Sequence, residues 1–305
     1  MADTKNFTPD SFPPEHFGRV AIIGLGLIGS SLARGLKAAG AVSEIVGHAR
    51  SAATRDKALE LGFVDRVETL PEDAAKDADI VVIAAPVGVT ADIVKAIAAN
   101  LKPGAIVTDV GSVKEAVVTA CAPHIPAGVH LVPGHPVAGT EESGPESGFA
   151  ELFQQRWCIL TPPEGTDDAA VAHISDMWRA VGSQVDIMAP NHHDMVLAIT
   201  SHLPHLIAFT IVGTATELEN QLQKEVIKFA AGGFRDFTRI AASDPVMWRD
   251  IFLANKDAVL EMLGRFDEDL TALQRAIRYG DGDALEEMFA RTRDIRRSIV
   301  DAGQA

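Results

Sequence analysis

The sequence predicts an α/β protein: a doubly wound, mostly parallel sheet followed by an all-helical domain. Three observations carry that expectation. Short β-branched runs alternate with helix-like stretches from Arg19 to about Ile187, the rhythm of β-α-β units. The first run passes through Gly24-Leu25-Gly26-Leu27-Ile28-Gly29 straight into a helical segment. Beyond Pro190 the strand pattern stops, and only apolar steps of three and four residues remain. These changes place a tail at 1–17, the dinucleotide-binding domain at 18–188 and an all-helical domain at 189–305.

Taken in order, the strand runs are 20–23, 44–47, 80–84, 106–108, 130–132, 158–161 and 184–187. Most are continuously apolar, as strands buried on both faces are. Helix-like segments at 30–39, 53–61, 91–100 and 169–181 lie between them. A helix over 191–213 follows, bent by Pro204. Ser243-Asp244-Pro245 opens the next helix with a capping side chain and a proline at its first turn. Leu253, Val259, Met262, Leu263, Phe266, Leu270, Leu273 and Ile277 then share one helical face. Tyr279-Gly280-Asp281-Gly282-Asp283 breaks the pattern, and a last helix runs to about Val300. So long an apolar stripe needs more cover than its own chain offers, which predicts a homodimer.

Composition excludes several classes. The 305 residues are 47% apolar and 23% charged, ample for packed cores and against global disorder. Lys and Arg number 27 against 42 Asp and Glu, a net charge of −15. That balance argues against a nucleic-acid partner or an anionic membrane surface, but not against a small anion held by one or two cations. Cys121 and Cys158 are the two cysteines and form no CxxC pattern, so neither a disulfide scaffold nor a cysteine metal cluster is expected. The first 17 residues lack an apolar stretch and carry Pro9, Pro13 and Pro14, unlike a secretory leader. The apolar windows 80–89 and 195–212 are interrupted by Pro86 and by His202, Pro204 and His205, so no membrane span is expected. The expectation is a cytoplasmic protein.

The strand–glycine–helix passage is a phosphate cradle. Gly24 serves the tight turn, Gly26 the close approach of a pyrophosphate and Gly29 helix–sheet packing, while Leu27 and Ile28 open the helix whose free N–H groups hold the anion. Cofactor choice is read at the end of the second strand, where an acidic residue would bond the ribose 2′-OH of NAD. Here that stretch is His48-Ala49-Arg50-Ser51, with no Asp or Glu between Ile45 and Ala53. Arg50 can fork onto a 2′-phosphate, Ser51 can donate to it and Arg55 can assist. NADP is therefore expected over NAD, with NAD the alternative if Arg50 is only a solvated surface charge.

Ligands of such sheets sit beyond the carboxyl ends of the strands. Ala85 and Pro86 follow the third of these runs and should lie beside the nicotinamide ribose. Asp109-Val110-Gly111-Ser112-Val113-Lys114 and Gly134-His135-Pro136-Val137-Ala138-Gly139-Thr140-Glu141 follow the next two as polar loops. His135 is a candidate general base, because neutral imidazole accepts a proton near pH 7, and Ser112 can orient a substrate hydroxyl toward it. In the helical half, Asp194, Ser201 and His205 stand at i, i+7, i+11 on one face, with His202 on the adjacent line. His202 and His205 at i, i+3, with His192 and His193 upstream, offer a metal reading, but no carboxylate lies at a familiar metal-motif offset, so no metal is expected. Residues 232–239 read as a loop that presents an arginine to a carboxylate, or else as a surface ion pair of Arg235 or Arg239.

GLGLIGS (24–30), DVGSVK (109–114), GHPVAGTEESG (134–144), SHLPH (201–205) and FTRIAASDP followed by Trp248-Arg249-Asp250 (237–250) together resemble the prephenate/arogenate (cyclohexadienyl) dehydrogenases of tyrosine biosynthesis. The later motifs, in this order, are specific, and the resemblance covers the chain from Arg19 onward. It implies oxidative decarboxylation of prephenate or arogenate, a small anionic substrate, with hydride leaving C4 of the ring for a nicotinamide. It implies that His135 accepts the hydrogen bond of the C4 hydroxyl, that Ser112 helps hold that hydroxyl, and that His205 and Arg239 bind substrate carboxylate. Glu141 falls near the substrate mouth, Gly232 near the partner subunit's site, and Asp194, His202, Ser243 and Trp248 at supporting positions. A β-hydroxyacid dehydrogenase would place a catalytic lysine on the helix over 191–213, which has none. A dinucleotide-sensing regulator without turnover is the other alternative.

Overall fold

The computed structural model describes residues 13, 16–140, 142–217, 228 and 232–301. Six parallel strands, β1 (Arg19–Ile23), β2 (Glu44–His48), β3 (Arg66–Glu68), β4 (Ile80–Ile83), β5 (Ile106–Asp109) and β6 (His130–Leu131), form a sheet in the order β3-β2-β1-β4-β5-β6. Strands β1 and β4 pair at its centre, with Val20 opposite Ile80 and Ile23 opposite Ile83. Their apolar side chains are almost fully buried because helices cover both faces. α1 (Leu27–Ala38) belongs to the core on one face, with Leu32 and Leu36. α3 (Pro71–Ala75), α4 (Val87–Ile97) and α5 (Glu115–Cys121) build the other, with Ala75, Val94, Ile97 and Val117. α2 (Ala52–Glu60) follows β2.

Two features depart from the expected single sheet. Residues 158–161 and 184–187 do not join it. β8 (Trp157–Leu160) and β9 (Gln184–Ile187), linked by α6 (Asp168–Ala180), form a separate three-stranded sheet with β7 (Gly134–Pro136). β7 runs antiparallel to β8, so His135 lies on a strand opposite Ile159 and not in a loop. Three residues ending in proline carry too little periodicity to be read as a strand. The short edge strand β3 is hidden for the same reason; Arg66, paired with Glu44 at 2.8 Å, holds it to β2.

The helical part opens with α7 (Pro190–Leu197) and α8 (Leu203–Thr216), joined without a break by a π turn over Ala198–His202. Pro204 has no N–H to give to the preceding turn, and the backbone widens just ahead of it. The extra residue in that turn rotates the face by nearly one position. Asp194 and His202, not Asp194, Ser201 and His205, therefore become the buried row. By length and composition Pro190–Thr216 could cross a membrane, yet its buried polar row is committed to hydrogen bonds with α5, β7 and the α10–α11 junction, as detailed below.

Residues 232–239 form α9 (Gly232–Thr238) and a tight turn (Arg239–Ala242) instead of a loop. Packing against α8 overrides the glycine pair. α10 (Pro245–Ala254) is capped by Asp244, whose side chain accepts from Met247 N at 2.8 Å; Ser243 donates instead to Ile240 O. The expected single helix through 277 is interrupted at Asn255, where α10 ends and α11 (Lys256–Tyr279) begins. Gly280, at φ +67°, separates α11 from α12 (Gly282–Asp301). The chain divides into two compact units, Met1–Lys256 and Asp257–Ala305. Within the second, Leu270 and Ile277 of the apolar stripe are exposed by 51% and 67%.

Candidate active site

The glycine turn leaves β1 where the strand order reverses, the crevice in which ligands of such sheets bind. Gly24 N donates to His48 O at 2.8 Å, tying the turn to β2. Gly24 sits at φ +111°, and a Cβ there would come within 2.1 Å of Ala84 O; one on Gly29 would come within 2.0 Å of Gly24 O. Both glycines are thus required by the fold. A Cβ on Gly26 would meet nothing within 4 Å, so the protein itself gives no reason for its smallness. A pyrophosphate lying on the backbone does, and the start of α1 at Leu27 and Ile28 fits that anion. Gly26→Ala should therefore fold with an unchanged Tm while its Kd for the dinucleotide rises at least tenfold. A thermal melt and a calorimetric titration check the two, and unaltered binding would remove Gly26 from the cradle.

Ala85 and Pro86 lie where β4 meets the turn, and Pro86 starts α4. His48 is buried and turned away along the sheet, its Nδ1 3.1 Å from Glu68 O. Ser51 caps α2 by accepting from Thr54 N. Arg50 is exposed, and Arg55 donates to Ala49 O and Arg50 O, bracing the exit of β2.

The second half of the site is a buried polar row. His135 is 7% exposed on β7, and its Nδ1 lies 2.8 Å from His193 Nε2. His193 Nδ1 lies 2.7 Å from Asp194 Oδ1. Asp194 also accepts the backbone N–H of Lys114 at 2.8 Å and of Glu115 at 2.9 Å, fastening α7 onto the first turn of α5. Asn255 Nδ2 donates to Asp194 O and to His202 Nδ1, at 2.9 and 3.0 Å. Beneath His135, Lys114 is fully buried and donates to Asp109 at 2.6 Å and to Gly134 O at 2.8 Å. His193, Lys114, Asp109 and Asn255 complete a site that sequence spacing assigned no role. His193 stood in plain view beside Asp194, but its partner lies 58 positions away.

Removal from water, reinforced by His193, Lys114 and His202, pushes the His135 imidazole well below the ordinary histidine range. Burial also lowers His193, against the pull of Asp194, and brings His202 down to about 4. The three imidazoles are thus neutral at pH 7. Histidines buried neutral take up protons first in the unfolded chain, so their contribution to stability is complete above about pH 6.5 and is lost as pH falls toward 4. On His202 alone the loss by pH 5 is about 2 kcal/mol. Urea midpoints at pH 7 and 5 measure it; equal midpoints would contradict a buried neutral row.

The row continues into a binding pole. The His205 ring stacks on Trp248, centroids 3.7 Å apart, and its Nδ1 lies 2.9 Å from Ser201 O. His205 is lowered by burial and also by the Arg239 charge, which places that guanidinium's field at the imidazole. Trp248 packs with Val113 and Ile251, and the Ser112 backbone faces His202. The structure therefore gathers His135, Ser112, Asp194, His202, His205, Arg239 and Trp248 into one connected neighbourhood. Arg235 pairs with Asp236 at the surface. Ser243 is bound into its own turn and Gly232 starts α9, neither bonded to the row; Glu141 lies outside the described residues. Among the described residues no group of three or more potential ligands is arranged for a metal.

Comparisons with known proteins agree with this arrangement. Residues 32–187 match the family described as prephenate dehydrogenase, nucleotide-binding domain, and residues 189–291 match prephenate dehydrogenase, dimerization domain. A cyclohexadienyl dehydrogenase of Zymomonas mobilis is 42% identical over 93% of this chain and 96% of its own. A prephenate dehydrogenase of Bacillus subtilis is 35% identical over 92% and 76%. The crystal structure of prephenate dehydrogenase from A. aeolicus in complex with hydroxyphenyl propionate and NAD+ superposes with a TM-score of 0.86 at 36% identity, covering 92% of this chain and 98% of that one. A glycine cradle at the switch point, a row of buried neutral histidines and these relationships lead to one conclusion: the chain belongs to the prephenate dehydrogenase family and is a nicotinamide-dependent oxidoreductase.

Proposed function

We propose that this chain catalyses the oxidative decarboxylation of prephenate, arogenate or both. The carrying observation is His135, buried and neutral on the carboxyl side of the sheet, in the same cluster as the cationic field of Arg239 at His205. The nicotinamide, when bound on the glycine cradle, supplies the hydride acceptor. His135 accepts the proton of the C4 hydroxyl as hydride leaves C4, CO2 leaves C1 as the ring becomes aromatic, and the phenolate so formed takes the proton back from His135. Aromatisation supplies the driving force, so the protein's task is positioning and polarisation. Ser112 holds the hydroxyl, and His205 and Arg239 hold carboxylate. By the family resemblance Glu141 serves the substrate mouth and Gly232 the partner subunit's site, while Asp194, His202, Ser243 and Trp248 support these groups. Following nicotinamide reduction with each substrate tests the assignment: turnover of at least one is expected, and none with either would overturn it.

NADP is proposed as the preferred cofactor. The exposed Arg50 and the absence of a carboxylate at the end of β2 support it, although the A. aeolicus relative was captured with NAD+. Arg50→Ala should lower kcat/KM for NADP about 10- to 100-fold, the worth of one charge-assisted contact, and leave NAD nearly untouched. An unchanged NADP preference would sink the role of Arg50. The dimerization-domain relationship and the exposed apolar stripe on α11 support a homodimer. Two free, buried cysteines are compatible with the cytoplasm, the compartment proposed.

A further inference from the structure

His135 has two ring nitrogens, and only one tautomer leaves the correct one free. Asp194 Oδ1 accepts from Lys114 N and Oδ2 from Glu115 N, so this carboxylate is placed as an acceptor on both oxygens. The proton between Asp194 and His193, 2.7 Å apart, therefore belongs to His193 Nδ1. A neutral His193 then presents a lone pair at Nε2. The atom facing it at 2.8 Å is His135 Nδ1, which must donate. That leaves the lone pair of His135 on Nε2, an atom that makes no hydrogen bond among the described residues and is not among the polar atoms sealed from solvent.

We propose that His193, oriented by Asp194, is a positioning residue that holds His135 as the Nδ1–H tautomer, so that Nε2 is the atom that accepts the substrate proton. As the hydroxyl proton arrives at Nε2, positive charge spreads toward His193, where the Asp194 carboxylate faces it two rings away. No proton leaves the row in that step. Charged or titratable groups reach His135 from each packed element: His193 and Asp194 on α7, His202 in the π turn, Lys114 and Asp109 beside β5, and Cys158 on β8. The fixed Lys114–Asp109 pair cannot choose a tautomer, because it bonds the backbone of Gly134 and not the ring. Among the described residues, His193 alone bonds a ring nitrogen of His135.

This inference deepens the function proposed above, and its first test does not depend on turnover. In full-length protein labelled with 15N-histidine, with the His135 resonances assigned by their loss in His135→Asn, His135 should carry its proton on Nδ1 and a lone pair on Nε2. Free histidine favours the opposite form, so an Nε2–H ring at His135 overturns the proposal whatever the activity. The second test is kinetic. His193→Leu removes the acceptor and should lower kcat roughly 10²-fold with KM little changed. His193→Gln places Oε1 near the former Nε2 and should restore at least tenfold of that loss. Equal losses in both variants would mean that His193 merely fills space. Should His193→Leu fail to fold, the wild-type tautomer still decides.

Discussion

His135→Asn should fold as the wild type and lose about 10²- to 10⁴-fold in kcat, the usual worth of a positioned general base, or about 2.7–5.5 kcal/mol of barrier. The choice of asparagine follows from the geometry. Its Nδ2 stands near the former Nδ1 and can still donate to His193, so the buried row keeps its continuity. What disappears is the acceptor at Nε2. Binding of the dinucleotide depends on the glycine turn, and KM for the cofactor should not move. Steady-state rates with each substrate, beside a thermal melt, separate the two effects. A folded variant with near-normal kcat would show that the proton leaves by another route and that His135 is structural. In the wild type, protonation of His135 should not limit the rate until well below pH 6.5, since its surroundings disfavour the charged ring.

Much of this architecture was legible in the chain because burial on both faces leaves a simple trace. Residues 80–83 are apolar without exception, and that run is a central strand. The glycines of the turn could be read singly, since each answers a local steric or ligand requirement. What escaped is what depends on pairing across the chain. Gly134-His135-Pro136 is a strand only because β8 lies beside it, 24 residues later in register. The π turn ahead of Pro204 exchanges Ser201 for His202 on the buried face, a shift that ideal helical spacing cannot express. Histidine at a helix start is commonplace, and spacing alone offers His193 only a place in a metal reading. Its meaning lies in His135, which no spacing rule connects to it. Lys114 lies within a motif whose spacing shows no chemistry for it, because lysine belongs at the surface by default. Those omissions share a cause: hydrogen bonds between distant residues decide the site, and they are properties of the folded chain.

Lys114→Met tests the largest of those hidden terms. The ammonium is fully buried, with Asp109 and Gly134 O as its acceptors, and Asp109 in turn accepts from Gly111 N and Gly134 N. Removing the cation leaves a buried carboxylate facing an apolar side chain, and breaking such a pair from one side costs about 3–5 kcal/mol. Against a typical total of about 5–15 kcal/mol, that is a large fraction of the stability of the fold. The pair as a whole need not be worth that much, because both ions have surrendered their hydration. Lys114→Met combined with Asp109→Asn should therefore recover at least about half of the loss, the asparagine oxygen still accepting from one of the Gly111 and Gly134 amides without a charge to compensate. Urea unfolding of both single variants and the double variant closes the cycle. Additive losses would mean that the two groups are not coupled, and that the buried lysine serves Gly134 alone. Activity follows from the same geometry: Gly134 precedes His135 on β7, so a released Gly134 carbonyl loosens the strand that aims the base. The double variant, even where its stability returns, should stay below wild-type kcat, because neither methionine nor asparagine restores the bond from Lys114 Nζ to Gly134 O.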